Sequence, residues 1–210
     1  MNLLSSFKKV FIMGIGGSGM SSIAKYLKQK GHNVEGYDQR ISYITNLLES
    51  DGVKTFQNLD DFKYQKDVLY IISSAINLED TFLANYYENE NVISRPKFLE
   101  LLSEEVEIIG ITGTHGKTST TALVSHIFHF NNKNASFIYG GVSGFGNLGG
   151  HFGEETQPLI LETDEAFNTF KNINIKDLIV TNIDNDHIDF YESYENLVDA
   201  FNHVIKNVKG

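Results

Sequence analysis

The chain has 210 residues, 41% of them hydrophobic, and a formal net charge of −10 from 17 basic and 27 acidic side chains. That length suits one large domain or two small ones with a real core. The acidic balance argues against nucleic acid or an anionic membrane as the main partner, and the absence of cysteine excludes disulfides and thiol chemistry.

Lys8 and Lys9 precede the apolar run Val10-Phe11-Ile12-Met13, a faint likeness to a leader peptide. The apolar part is too short for that and runs straight into glycines. No run is long enough to span a bilayer, so a cytoplasmic location is expected. Val10 to Gly14 reads as a buried strand. Ser18 to Lys30 reads as a helix with Met20, Ile23, Ala24 and Leu27 on one face, ended by Gly31.

Between them lies Gly14-Ile15-Gly16-Gly17-Ser18-Gly19, a G-x-G-x-x-G after a strand and at a helix start. Glycines there permit a tight turn and a close backbone approach to a pyrophosphate. Asp38, at the end of the next strand (Asn33 to Tyr37), is placed to accept a ribose hydroxyl. The motif points to a diphosphate ligand without choosing among NAD, FAD and a UDP-sugar.

Val68 to Ser73 is another strong strand. Ser73 and Ser74 at its carboxyl end sit where ligands of parallel sheets bind, or else cap the next turn. Pro96 to Leu102 reads as a short helix with proline in its first turn. The pattern restarts near Ser103, with strands expected at Glu107 to Thr112, Ala135 to Tyr139, Pro158 to Glu162 and Asp177 to Ile183. Helices are expected at Lys117 to Phe130 and Ser193 to Val208. The alternation predicts an α/β fold with parallel sheets. About four strands in the second unit are few for a doubly wound nucleotide domain.

The second unit opens on Thr112-Gly113-Thr114-His115-Gly116-Lys117-Thr118-Ser119. Glycines bring backbone N–H groups to phosphate oxygens at a helix N-terminus. Lys117 reaches the outer phosphates, and the Thr118 hydroxyl suits Mg²⁺. The common nucleotide loop has glycine at the position of Ile111, so this is a shorter variant. Glu162, followed by Thr163-Asp164-Glu165, puts a carboxylate at a strand tip, fit for a hard cation. His187, among Asp184, Asp186 and Asp189, is a candidate to bind a metal or orient a phosphate. The glycine-rich stretch 140–153 reads as a ligand-contacting loop.

Taken together these motifs resemble the Mur ligase family. The resemblance rests on Gly14 to Ser21, Ser73 to Ile76, Val92-Ile93-Ser94-Arg95, Thr112 to Ser119, Glu162 to Glu165, Thr181-Asn182-Ile183 and Asp186 to Asp189. His115 favours the alanine-adding branch or the related peptide-recycling branch. The resemblance implies a Rossmann-like UDP-sugar-binding domain at 1–103 and the front part of a P-loop-type ATP-binding domain at 104–210. The family's third domain would lie outside these residues, so residues 1–210 alone are not expected to catalyse ligation.

It further implies an ATP- and Mg²⁺-dependent ligase joining L-alanine to UDP-N-acetylmuramate in peptidoglycan precursor synthesis. The implied UDP-sugar contacts are Gly14, Gly16, Gly17, Ser18, Gly19, Met20, Asp38, Ser73 and Ser74. The implied ATP loop is Gly113, Thr114, His115, Gly116, Lys117, Thr118 and Ser119. Thr118 and Glu162 would hold one Mg²⁺ and His187 a second, with Lys117, Glu162 and His187 serving catalysis. Two stretches depart from the family pattern: Ala166 and Phe167 follow the acidic motif where serine and aspartate are usual, and Asn147-Leu148-Gly149-Gly150 stands in the glycine loop where an Asn-Ala-Arg-type segment is usual. A NAD-dependent dehydrogenase, resting on the first motif alone, leaves Gly116-Lys117-Thr118 unexplained.

Overall fold

Short apolar strands alternating with helices form parallel sheets, because a parallel return needs a crossover long enough to hold a helix. The computed structural model describes residues 3–142, 147–165, 170–184 and 188–209. They divide into two compact units, Met1–Leu101 with Gly140–Phe152, and Leu102–Tyr139 with Gly153–Gly210.

The first unit runs α1 (Leu3–Ser6), β1 (Lys9–Met13), α2 (Ser18–Gln29), β2 (Asn33–Tyr37), α3 (Tyr43–Ser50), β3 (Lys54–Phe56) and β4 (Val68–Ile72). A 3₁₀ turn (Leu78–Asp80), β5 (Val92–Ser94) and α4 (Arg95–Glu105) follow. The sheet order is β3-β2-β1-β4-β5, and every neighbouring pair is parallel. Strand order therefore reverses between β1 and β4, which opens a crevice at their carboxyl ends.

β1 is buried on both faces, with Val10 and Ile12 on one side and Phe11 and Met13 on the other. Phe11 packs with Phe56, Phe62, Tyr70 and Phe82 at ring-centroid separations from 5.0 to 6.4 Å. In α2 the expected face, Met20, Ile23, Ala24 and Leu27, is buried. Gly31, at φ +101°, ends that helix as its spacing predicted.

Strands β1, β2 and β4 agree with the sequence reading to within a residue, but α1, α3, β3 and β5 were not anticipated. α3 starts at a capping box, with Ser42 Oγ accepting from the Thr45 N–H at 3.2 Å and Thr45 Oγ1 accepting from the Ser42 N–H at 2.8 Å.

After α4 come β6 (Ile108–Thr112), α5 (Lys117–Phe130), β7 (Ser136–Val142), β8 (Leu148–His151), β9 (Leu159–Glu162), β10 (Asp177–Val180), α6 (Ile188–Tyr191) and α7 (Tyr194–Lys206), all in the second unit except β8 and the end of β7, which fall in the first. The sheet order is β10-β6-β9-β7-β8, with β6 parallel to β9 and β10, and β7 parallel to β9. Ile111, Ala135 and Ile160 form a buried cluster against which Val124 and Phe128 of α5 pack.

Five strands replace the expected four because the glycine-rich stretch is not simply a loop. β7 extends to Val142 and 148–151 is strand β8, while residues 143–146 lie outside the described residues. β8 packs on α2 within the first unit. A Cβ on Gly150 would lie 2.0 Å from the Ser22 carbonyl oxygen, so glycine there serves a close backbone approach. Among the described residues no helix is long and apolar enough to cross a membrane.

Candidate active site

The phosphate loop starts at Thr112, where β6 ends between β9 and β10. Gly113 has φ +128°, and a Cβ on it would lie 2.2 Å from Thr181 Oγ1, so both backbone and space require glycine. Gly116, at φ +82°, is the N-cap of α5 and offers no side-chain cap. The first N–H groups of α5 therefore open toward an anion without a competing internal acceptor from the cap.

The loop is held by the segment after β10. Thr181 Oγ1 donates to His115 O at 2.6 Å and Thr112 O at 3.1 Å. The Asn182 amide accepts from the His115 N–H at 3.0 Å and donates to the His115 carbonyl at 2.9 Å. Thr114 N–H reaches Asn182 O at 3.1 Å, and Thr114 Oγ1 accepts from the Asp184 N–H at 2.9 Å. His115 thus enters these bonds through its backbone. Thr181 and Asn182, singled out in the sequence only for the family resemblance, buttress the loop.

Lys117 Nζ donates to Gly113 O at 2.7 Å and Thr114 O at 3.3 Å, and meets both Glu165 carboxylate oxygens at 2.9 and 3.0 Å. The Glu165 side chain is 0% exposed and that of Lys117 15%. Tyr191, itself buried, donates its hydroxyl to the Glu165 carbonyl. Thr118 Oγ1 donates to Glu162 Oε1 at 2.9 Å, so hydroxyl and carboxylate converge where β9 ends. Ser119 is exposed in the first turn of α5. His187, Asp186, Ala166 and Phe167 lie outside the described residues. Among the described residues, no three His, Cys, Asp or Glu side chains cluster to hold a metal.

The glycine turn of the first unit is equally defined. Gly14, at φ +77°, lies against Ser73, whose Cβ is 2.9 Å from a Cβ built at Gly14. The Gly16 N–H donates to Asp38 Oδ2 at 2.9 Å, and the Arg40 N–H to Asp38 Oδ1 at 3.1 Å. Asp38, placed in the sequence as a ribose acceptor, also clamps the turn. Gly17 caps α2 without a side-chain bond, and Ser18 O accepts from the Ser21 and Ser22 hydroxyls, both at 3.0 Å. Met20 is buried at 3% exposure, Ser73 Oγ accepts from the Ala75 N–H at 3.3 Å, and Ser74 is exposed.

Two family models match the chain: the Mur ligase family catalytic domain over residues 9–107 and the Mur ligase middle domain over 111–210. Similar curated proteins include the UDP-N-acetylmuramate–L-alanine ligases of Cytophaga hutchinsonii, 32% identical over 98% of this chain and 46% of the relative, and of Rickettsia felis, 35% identical over 98% and 45%. Among solved structures, a UDP-N-acetylmuramate–alanine ligase from Thermotoga maritima aligns with TM-score 0.81 and 27% identity over 96% of this chain and 47% of its own. A peptide-adding ligase from Neisseria shares the fold at TM-score 0.77 with 21% identity, over 96% of this chain and 68% of that one. The chain spans about half the length of the curated relatives it matches.

Proposed function

The chain belongs to the Mur ligase family, and from that premise we propose that it forms the nucleotide-sugar and ATP sites of a ligase joining L-alanine to UDP-N-acetylmuramate. The carrying observation is the Thr118–Glu162 pair at 2.9 Å beside a phosphate loop whose lysine is already held in place. A hydroxyl and a carboxylate are oxygen donors, and two protein ligands with the rest water is the manner in which Mg²⁺ is held beside a nucleotide. The residues present therefore fit that ion, which supplies charge neutralisation at the triphosphate.

The chemistry follows from what a carboxylate lacks. The lactyl carboxylate of UDP-N-acetylmuramate carries no leaving group for an amine to displace. Its oxygen attacks the ATP γ-phosphorus, the bond to the β,γ-bridging oxygen breaks, and ADP departs. The alanine amine then adds to the acyl carbon, loses a proton and expels phosphate. The obstacle in the first step is repulsion between anions, which the Lys117 ammonium and the α5 N-terminus offset. The first-unit glycine turn holds the UDP diphosphate. Thr181 and Asn182 keep the phosphate loop in shape for the γ-phosphate.

Calorimetry tests this directly. UDP-N-acetylmuramate and Mg²⁺–ATP are expected to bind, and NADH is not. NADH binding without UDP-sugar binding overturns the ligase reading. In a complete ligase containing these residues, a peptide-recycling activity would show instead as phosphate release driven by an L-alanyl peptide and not by L-alanine.

A further inference from the structure

We propose that Glu165 competes with the triphosphate for the Lys117 ammonium and so sets how tightly the phosphate loop holds ATP, an inference that rests on the ATP-site reading above. An ammonium has three N–H donors. Among the described residues Lys117 Nζ meets four acceptors: Gly113 O at 2.7 Å, Thr114 O at 3.3 Å and the two Glu165 carboxylate oxygens at 2.9 and 3.0 Å. Every donor is therefore engaged by the protein, and a phosphate oxygen reaches Lys117 only by displacing one of these partners. The two carbonyls are neutral and belong to the loop that Thr181 and Asn182 hold in shape. Glu165 is an anion and repels a phosphate that comes to the same ammonium. The carboxylate is the partner that gives way.

Glu165 is held where it cannot follow the ammonium toward the phosphates. Its side chain is 0% exposed, against 15% for that of Lys117. Its own carbonyl accepts from the hydroxyl of Tyr191, a buried residue. The Tyr191 carbonyl in turn accepts from the Asn196 side chain at 2.8 Å, and the Asn196 N–H donates at 3.1 Å to Ser193, the N-cap of α7. The carboxylate is thus fixed from the α7 side, while the lysine stem is the flexible partner. The exchange falls to Lys117, which swings from carboxylate to phosphate. A loop whose lysine spends most of its time on the carboxylate binds a triphosphate with an affinity lowered by that fraction. Glu162, three residues earlier, faces Thr118 and not Lys117, so the competition belongs to Glu165.

The test is calorimetric titration of Mg²⁺–ATP into wild type and Glu165→Gln. An amide is a weaker competitor for the ammonium. Glu165→Gln is therefore expected to bind Mg²⁺–ATP about threefold to thirtyfold more tightly, the range for a charge-assisted hydrogen bond that the amide keeps in part. A carboxylate that only supports the loop would cost affinity when replaced and would never add to it. The gain should persist in about 0.5 M salt, where charges beyond contact range are screened. UDP-N-acetylmuramate affinity should hold. A gain below about threefold, a loss, a gain abolished by salt or a parallel gain for the UDP-sugar refutes the competition while leaving the ligase reading intact. No Mg²⁺–ATP binding by wild type would remove both. Should Glu165→Gln not fold, Glu165→Asp decides, because it keeps the charge and draws it back from Lys117 by one methylene. Its affinity for Mg²⁺–ATP should also rise by about threefold or more, and a smaller rise or a fall refutes the proposal.

Discussion

Lys117, read from the sequence as a lysine that reaches the outer phosphates, is also predicted to hold the second unit together, because of what it pairs with. Its ammonium sits 2.9 and 3.0 Å from the two oxygens of a carboxylate that is 0% exposed. At about 3 Å and an effective dielectric constant of about 20, the gross attraction is about 5 kcal/mol, which desolvation of both groups largely offsets. The informative quantity is the asymmetry. In Lys117→Met, Glu165 loses its ammonium while fully buried, and a loss of about 3–5 kcal/mol is expected. In Glu165→Gln, Lys117 keeps the Gly113 and Thr114 carbonyls and some water, and a loss of about 1–3 kcal/mol is expected.

The double mutant should be less destabilised than the sum of the single ones by about 2 kcal/mol. Two compact units make a single unfolding transition unsafe to assume, so amide exchange in β6 and α5 is the suitable reading, reporting the opening of the second unit alone. Additivity within about 0.5 kcal/mol would refute the argument that the pair is energetically coupled.

Further outcomes follow from other sites. Gly150→Ala places a Cβ 2.0 Å from the Ser22 carbonyl oxygen, a backbone atom that cannot rotate away. Amide protection in α2 and β8 should fall, with a loss of about 1–3 kcal/mol typical of overpacking. Burial raises the Tyr70 phenol pKa, against the opposing hydrogen bond from the Gln65 N–H. A raised folded-state value means this contribution is intact below the unfolded value, about 10, and is lost as pH climbs through the folded one. Melting temperatures between pH 8 and pH 11 should therefore fall less steeply in Tyr70→Phe than in wild type. Glu162→Gln removes the carboxylate facing Thr118, so the Mg²⁺ concentration needed for half-maximal ATP binding should rise by about tenfold or more, by the loss of one charged oxygen ligand.

What was legible in the sequence was mostly what is local. β1 with its turn and α2, and β6 with its turn and α5, each announce themselves within about twenty residues, because an apolar strand, glycines and a helix start are consecutive. β3, three residues with no buried side chain, and α3, with only Thr45 and Leu48 buried, carry too little apolar pattern to read. β8 was hidden for a different reason. Glycine lowers strand propensity, yet here the close approach to α2 demands it, so packing overrides the local preference.

Site chemistry divides along the same line, with one instructive exception. Thr118 and Glu162 stand 44 residues apart, and it is the family resemblance that puts both at one Mg²⁺; in the structure Thr118, in the first turn of α5, meets Glu162, at the end of β9, at 2.9 Å. Glu165 stands 48 residues from Lys117, and nothing in Glu162-Thr163-Asp164-Glu165 says which carboxylate turns inward. Alternation offers a weak clue, since Thr163 and Glu165 share a parity and both are buried, while Glu162 remains at the rim beside Thr118. Asn182, 67 residues from His115, bonds backbone atoms, so its partner has no side-chain signature at all. A residue that acts on a loop's backbone is invisible to motif reading by its nature.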